Sequence, residues 1–222
     1  MIPVMQTNRS IPLPRLLTIL VTLLIWKVTA SAVLEYRNYF PPNFASDFLR
    51  GREGYFWGAY QWAFYTHLFS GPTSLLLGTV LVSNRFRSSL PVWHRWLGRV
   101  QTVCVLLLVA PSGLWMAYYA ETGAVAAAGL GTLAIVTAAF VVQGWRSATR
   151  RQWANHQRWM WRTFILLCSA VVIRLIGGLA TVAQIDAPWL YPFSTWTSWL
   201  VPLLIFECIR LMNLPANRVA SN

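Results

Sequence analysis

Two short stretches of the chain repeat one chemical theme. His94-Arg95-Trp96-Leu97-Gly98-Arg99 and His156-Gln157-Arg158-Trp159-Met160-Trp161-Arg162 each set a histidine, arginines about one helical turn apart, and tryptophan at the start of a long apolar run. Two imidazoles at one depth can clamp a metal or a haem iron from opposite sides, so His94 and His156 are the candidate ligands of one haem b. Arg95, Arg99, Arg158 and Arg162 could then pair bidentately with the haem propionates. The same residue types also serve as plain interface anchors, binding anionic lipid headgroups. A helix N-terminus adds free N–H groups and a positive partial charge, which suits a phosphate-bearing ligand as well.

Ionisable groups inside apolar runs are the second source of chemistry, because a bilayer makes them costly. His67 shares a helical face with Gly71, Ser74 and Gly78, and that small, polar face should point into a bundle. It reads as a hydrogen-bonded buried histidine or as a ligand or proton-transfer group. Arg174 shares its face with Ala170, Gly177, Gly178 and Thr181. A guanidinium does not neutralise itself by losing a proton, so Arg174 needs an acid, carbonyls, water or an anionic ligand. Lys27 either snorkels to the surface or joins His67 and Arg174 in a basic pocket for a carboxylate, a phosphate or a propionate. Glu207 and Arg210 are spaced i,i+3 and should pair near the membrane surface.

The elements that position these residues follow from composition. The 222 residues are 56% apolar and only 11% charged, against about 25% charged in a soluble domain. So little charge cannot cover a water-facing surface, which excludes an ordinary soluble enzyme, a disordered chain and a free-standing nucleic-acid binder. Six apolar stretches, near 16–34, 57–82, 96–119, 124–145, 159–183 and 196–213, are long enough to cross a bilayer as helices. The expected fold is all-α: one integral membrane domain over residues 1–222, a six-transmembrane-helix bundle.

Orientation comes from the arginines. Arg9, Arg15, Arg85, Arg87, Arg95, Arg99, Arg146, Arg150, Arg151, Arg158, Arg162, Arg210 and Arg218 fall at one end of the spans, while the other holds Arg37, Arg50 and Arg52 with five of the six acids. The positive-inside rule then puts both termini in the cytoplasm of a bacterial inner membrane and accounts for most of the net charge of +12. Nucleic acid is not an expected partner. The first span carries Ala30-Ser31-Ala32 near its end, a signal-peptidase-like site; Lys27 interrupts the apolar run, and the span is expected to be retained. Residues 35–56 form the one long outer loop, with Tyr36, Tyr39, Phe40, Phe44 and Phe48 giving it the weight to lie as a cap on the outer mouth. The fourth span is rich in Gly and Ala and should pack tightly. Cys104, Cys168 and Cys208 lack metal or disulfide spacing and read as small core residues.

The stretches His67 to Gly78, Leu90-Pro91-Val92-Trp93-His94-Arg95-Trp96-Leu97-Gly98-Arg99, His156 to Arg162, and Arg174 resemble bacterial predicted membrane proteins that share a domain of unknown function and two His-Arg motifs. The resemblance spans roughly residues 55–185 and implies a multi-helix membrane protein. A looser similarity is to b-type membrane cytochromes, which place histidines on bundle helices. The chain departs from them in having three histidines in all, with no two on one helix, so at most one bis-histidine haem is expected.

No H-E-x-x-H, G-x-S-x-G or Walker loop is present, and no carboxylate pair stands ready for acid–base chemistry. Three functions remain as expectations. One is electron transfer through one haem b, with a quinone or a redox partner. Another is a carrier or binding protein for an amphipathic anion, a lipid or a carboxylate. The third is a structural subunit of a membrane complex. A homo-oligomer is compatible with each.

Overall fold

The computed structural model describes residues 13–120 and 122–212. Arg9, Arg218 and Glu121, used above for orientation, lie outside them. The named helices are α1 Leu13–Leu34, α2 Gln61–Leu81, α3 Asn84–Ser89, α4 Pro91–Tyr118, α5 Ala124–Thr149, α6 Trp153–Val182 and α7 Leu190–Met212. Among the described residues no strand forms; an isolated bridge joins Tyr39 to Pro42. The fold is an all-α polytopic membrane protein. Five helical stretches, 15–38, 91–118, 124–149, 153–182 and 190–212, are long and apolar enough to cross a membrane. The second expected span, α2, has 21 residues, long enough to cross, but falls below the other five in hydropathy. The reason is on its inward face, where Ser70 and Ser74 are buried beside the half-buried His67.

Short connections make successive long helices antiparallel. One end of the bundle therefore gathers Arg15, Arg85, Arg87, Arg95, Arg99, Arg146, Arg150, Arg151, Arg158, Arg162 and Arg210; it is called the basic end below. The opposite end carries the 35–60 loop and is called the capped end. Large apolar side chains such as Leu20, Leu107 and Val182 stay exposed around the bundle, as a lipid-facing belt requires.

Four helices start earlier than hydropathy alone indicates, α1 by three residues at Leu13 rather than 16. α4 begins at Pro91 rather than 96, α6 at Trp153 rather than 159, and α7 at Leu190 rather than 196. Proline at the first helical position has its φ already set and no N–H to satisfy, and it nucleates α4 ahead of the apolar run. Both His-Arg motifs thus lie inside the first turns of their helices. α2 instead starts later than 57, at Gln61, because Gly58 takes φ +145° and breaks the chain away from helix. A side chain rarely tolerates that conformation.

α4 widens at Val105–Val109, where the Ala110 N–H reaches back to the Val105 carbonyl. Pro111 follows directly, lacks an N–H and would crowd a regular turn, and the wider turn absorbs it. α5 packs tightly against α6 and α7, as its small residues suggested. A Cβ on Gly129 would stand 2.7 Å from Thr195 Oγ1, and one on Gly144 would stand 2.0 Å from Met160 Cε. α1 is the most weakly held span, with 11% of its apolar window buried; Ile25 packs with Leu75 and Val171. Cys104 and Cys168 are half-buried as expected, but Cys208 is exposed on α7.

The capped end is an aromatic cluster. Leu49, Phe56, Tyr60 and Phe64 are buried, with Tyr39, Phe44, Phe48 and Tyr119 around them. Arg52 stands inside this cap. Its Nε donates to the Phe48 carbonyl at 2.6 Å, its Nη1 to Tyr55 Oη at 3.0 Å and the Tyr119 carbonyl at 3.1 Å, and its guanidinium lies 4.7 Å over the Phe48 ring.

Candidate functional site

The first turns of α4 and α6 face each other across a cavity of about 800 Å³ at the basic end. That is the size range of small-molecule and cofactor sites. α2 closes it with Gly78, Leu81 and Val82; α5 with Trp145, Ala148 and Thr149; α6 with Trp153, Met160, Trp161, Phe164 and Leu167. His94 and His156 both line it, so the structure brings the two motif histidines to one site.

His156 is positioned by α5. Its Nδ1 stands 2.9 Å from the Gly144 carbonyl, and only an N–H can satisfy that oxygen. In the neutral ring the lone pair is then on Nε2, the arrangement that orients a metal-ligating histidine. Gly144 allows this contact because Met160 occupies the space a side chain would take. His94 has a buried Nδ1 with no hydrogen-bond partner among the described residues.

Of the six motif residues expected at a cofactor, four line the cavity: His94, His156, Arg95 and Arg99. Arg158 and Arg162 do not. Arg158 is exposed. Arg162 turns to α7, where Nε lies 2.6 Å and Nη2 3.1 Å from the two oxygens of Glu207, with its guanidinium 4.5 Å over Trp159. Arg210 Nε joins the same carboxylate at 2.8 Å, so the expected Glu207–Arg210 pair is one arm of a three-residue clamp.

Two lining residues were not singled out from the sequence. Arg87 reaches the cavity from α3, held by Asn84 Oδ1 at 2.9 Å. Gln101 is 7% exposed, donates from Nε2 to the Ser74 carbonyl at 3.0 Å, and leaves Oε1 without a partner among the described residues. The signal for Gln101 was present: it is a polar residue in an apolar run, two turns after His94 and on its face. Neither α4 nor α6 has a side-chain cap at its N-terminus, so both present free N–H groups near the cavity. Among the described residues no group of three or more His, Cys, Asp or Glu could hold a bare metal ion. A bis-histidine haem would draw its two protein ligands from His94 and His156, with Arg87, Arg95 and Arg99 as the cations of the same cavity.

The second group of expected site residues lies toward the capped end. His67 Nδ1 stands 3.1 Å from Ser112 Oγ, whose own hydroxyl donates to the Leu108 carbonyl, so the imidazole is the donor. Arg174 is exposed, and its Nη1 donates to the Ala170 carbonyl of its own helix at 3.0 Å. Lys27 does not join them. It is exposed and lies about 200° around α1 from the buried Ile25, the snorkelling position.

Neither a curated protein nor a solved structure matches the chain. A family model does, over residues 64–209. That range takes in His67, both cavity-lining motifs, Arg174 and Glu207, and extends past the expected limit of 185 through most of α7. On that match the chain belongs to the family described as Predicted membrane protein (DUF2306).

Proposed function

We propose that the cavity at the basic end holds one haem b between His94 and His156, and that the protein passes electrons between it and a quinone or a redox partner. One observation carries the reading: both motif histidines open on one aromatic-walled cavity of about 800 Å³ that also presents Arg87, Arg95 and Arg99. Haem, when bound, supplies one-electron chemistry. The residues of the chain do the rest. The Gly144 carbonyl holds the His156 ring in one tautomer. The three arginines offer forked donors to two propionates. Trp145, Met160, Phe164 and Leu167 keep water from the ring. By the positive-inside rule we assign the basic end to the cytoplasmic side of a bacterial inner membrane.

The test is an absorption spectrum of the detergent-purified protein before and after dithionite. The expected result is a Soret band with α and β bands that sharpen on reduction, lost in His94→Ala and in His156→Ala. A featureless visible spectrum from protein expressed with ample haem overturns the proposal.

A second reading, an amphipathic anion bound without haem, is favoured by the two uncapped helix N-termini beside Arg95 and Arg99. It predicts a colourless protein whose thermal midpoint rises with an anionic amphiphile, and no rise when Arg95 and Arg99 are both changed to Gln.

A further inference from the structure

Gln101 is a polar side chain inside a membrane-crossing helix, and it lines the cavity at the basic end. It is more than nine-tenths buried, and its amide has one orientation. The Ser74 carbonyl, 3.0 Å from Nε2, can only accept a hydrogen bond, so the NH2 group must face it and Oε1 must face away. Oε1 has no partner among the described residues. A buried amide oxygen left so is costly. It is satisfied by a donor, and an anion has none to give.

Depth separates this group from the motif histidines. Gln101 follows His94 by seven residues of regular helix, which sets it about 10.5 Å nearer the membrane centre on the same face. The neighbours there are apolar and aromatic. Ser74 lies one turn from Gly78 on α2, and Phe164 of α6 packs directly on that glycine. A Cβ on Gly78 would stand 3.0 Å from Phe164 Cδ2 and 3.9 Å from Leu167 Cδ1. Gly78, Phe164 and Leu167 line the cavity together with Gln101. The floor of the cavity therefore sets one hydrogen-bond acceptor of fixed orientation beside an aromatic ring and aliphatic side chains.

We infer that this floor recognises a quinol, the reduced form of a quinone, through donation of one ring hydroxyl to Gln101 Oε1. A quinol carries O–H donors. A quinone carries only carbonyl acceptors and would set oxygen against oxygen at the amide, so Gln101 selects the reduced form. Phe164 offers its ring to the ring of the ligand, and Leu81, Val82 and Leu167 suit an alkyl tail. The inference deepens the quinone partnership proposed above and rests on it: Gln101 decides which form of that partner binds.

The experiment measures equilibrium binding of radiolabelled para-decylphenol, a redox-inert ring hydroxyl, to the full-length protein in maltoside detergent. The competitors are unlabelled para-decylphenol, decylhydroquinone, decylbenzoquinone and para-decylanisole, a methyl ether without a donor. Saturable binding is expected, displaced by the phenol and the hydroquinone. The quinone and the ether should compete about tenfold or more weakly, because each leaves Oε1 unpaired. In Gln101→Met, which is of similar length and removes the acceptor, phenol and ether should compete equally. Absence of saturable binding, equal competition by phenol and ether in the wild type, or a preference kept in Gln101→Met overturns the inference; the wild-type comparison needs no variant to fold. The absorption spectrum of the same preparation tells this failure from that of the haem reading. A colourless protein that keeps the preference loses the haem alone, and a coloured protein without the preference loses the quinol site alone.

Discussion

Arg162 and Glu207 join α6 to α7 through two parallel hydrogen bonds, 2.6 and 3.1 Å long, at the basic end of the bundle. The side chains are 13% and 25% exposed, so the pair sits mostly away from water, and Arg210 shares the carboxylate. Removing the acid leaves two guanidinium groups without compensation. Glu207→Gln should lower stability by roughly 1.5–3 kcal/mol, the usual range for hydrogen bonds to charged groups, read as a fall in thermal midpoint. Arg162→Gln should cost a similar amount and, if the proposed haem is bound, leave its spectrum in place. Loss of haem in Arg162→Gln with an unchanged midpoint would instead put that arginine at the cofactor.

Gly144 and Met160 are the tightest contact beside the cavity. A methyl at 144 would meet Met160 Cε at 2.0 Å, and although methionine is flexible, it lines the cavity and has to move to make room. Gly144→Ala should destabilise by about 1–3 kcal/mol. It should also disturb the His156–Gly144 bond, visible as a shifted or broadened α band. Pairing it with Met160→Ala should recover both effects, which a thermal melt and a spectrum of the double variant would reveal.

At the capped half, a Cβ on Gly113 would stand 3.1 Å from His67 Cε1. Gly113→Ala should push the imidazole off Ser112 and lower the thermal midpoint, with a cost of about 1–2 kcal/mol. The basic-end cavity is remote from this contact, so haem content should not change. A variant as stable as wild type would show that the ring has room to move.

Arg52 ties the loop to the bundle through carbonyls, a tyrosine hydroxyl and the Phe48 face. Lysine keeps the charge but not the fork. Arg52→Lys should therefore expose the 35–60 loop to limited proteolysis several-fold faster, with the spans still folded. Unchanged cleavage would mean that the aromatic cluster holds the cap without it.

Much of this was legible in one dimension. Lipid leaves a spanning backbone no partner but itself, so apolar runs of sufficient length had to be helices, and their order and antiparallel sense followed, although five of the six expected spans reach the hydropathy of a crossing helix. The same logic put both His-Arg motifs at one end, since alternate helices run parallel. It also marked His67 and Arg174 as groups whose cost in lipid needs an explanation, and the aromatic loop as a cap.

The rotation of each helix about its axis was decided only by tertiary packing. Arg95, Arg99 and Arg162 look alike in sequence, yet two line the cavity and the third clamps Glu207, because α7 happens to lie on that side of α6. Gln101 became part of the cavity and Lys27 did not take part at the other end, for the same reason. Hydropathy sets where along the membrane normal a residue stands. Which neighbour it meets depends on small residues such as Gly129 and Gly144, which let particular helices approach and exclude others, and that choice is made between segments far apart in the chain.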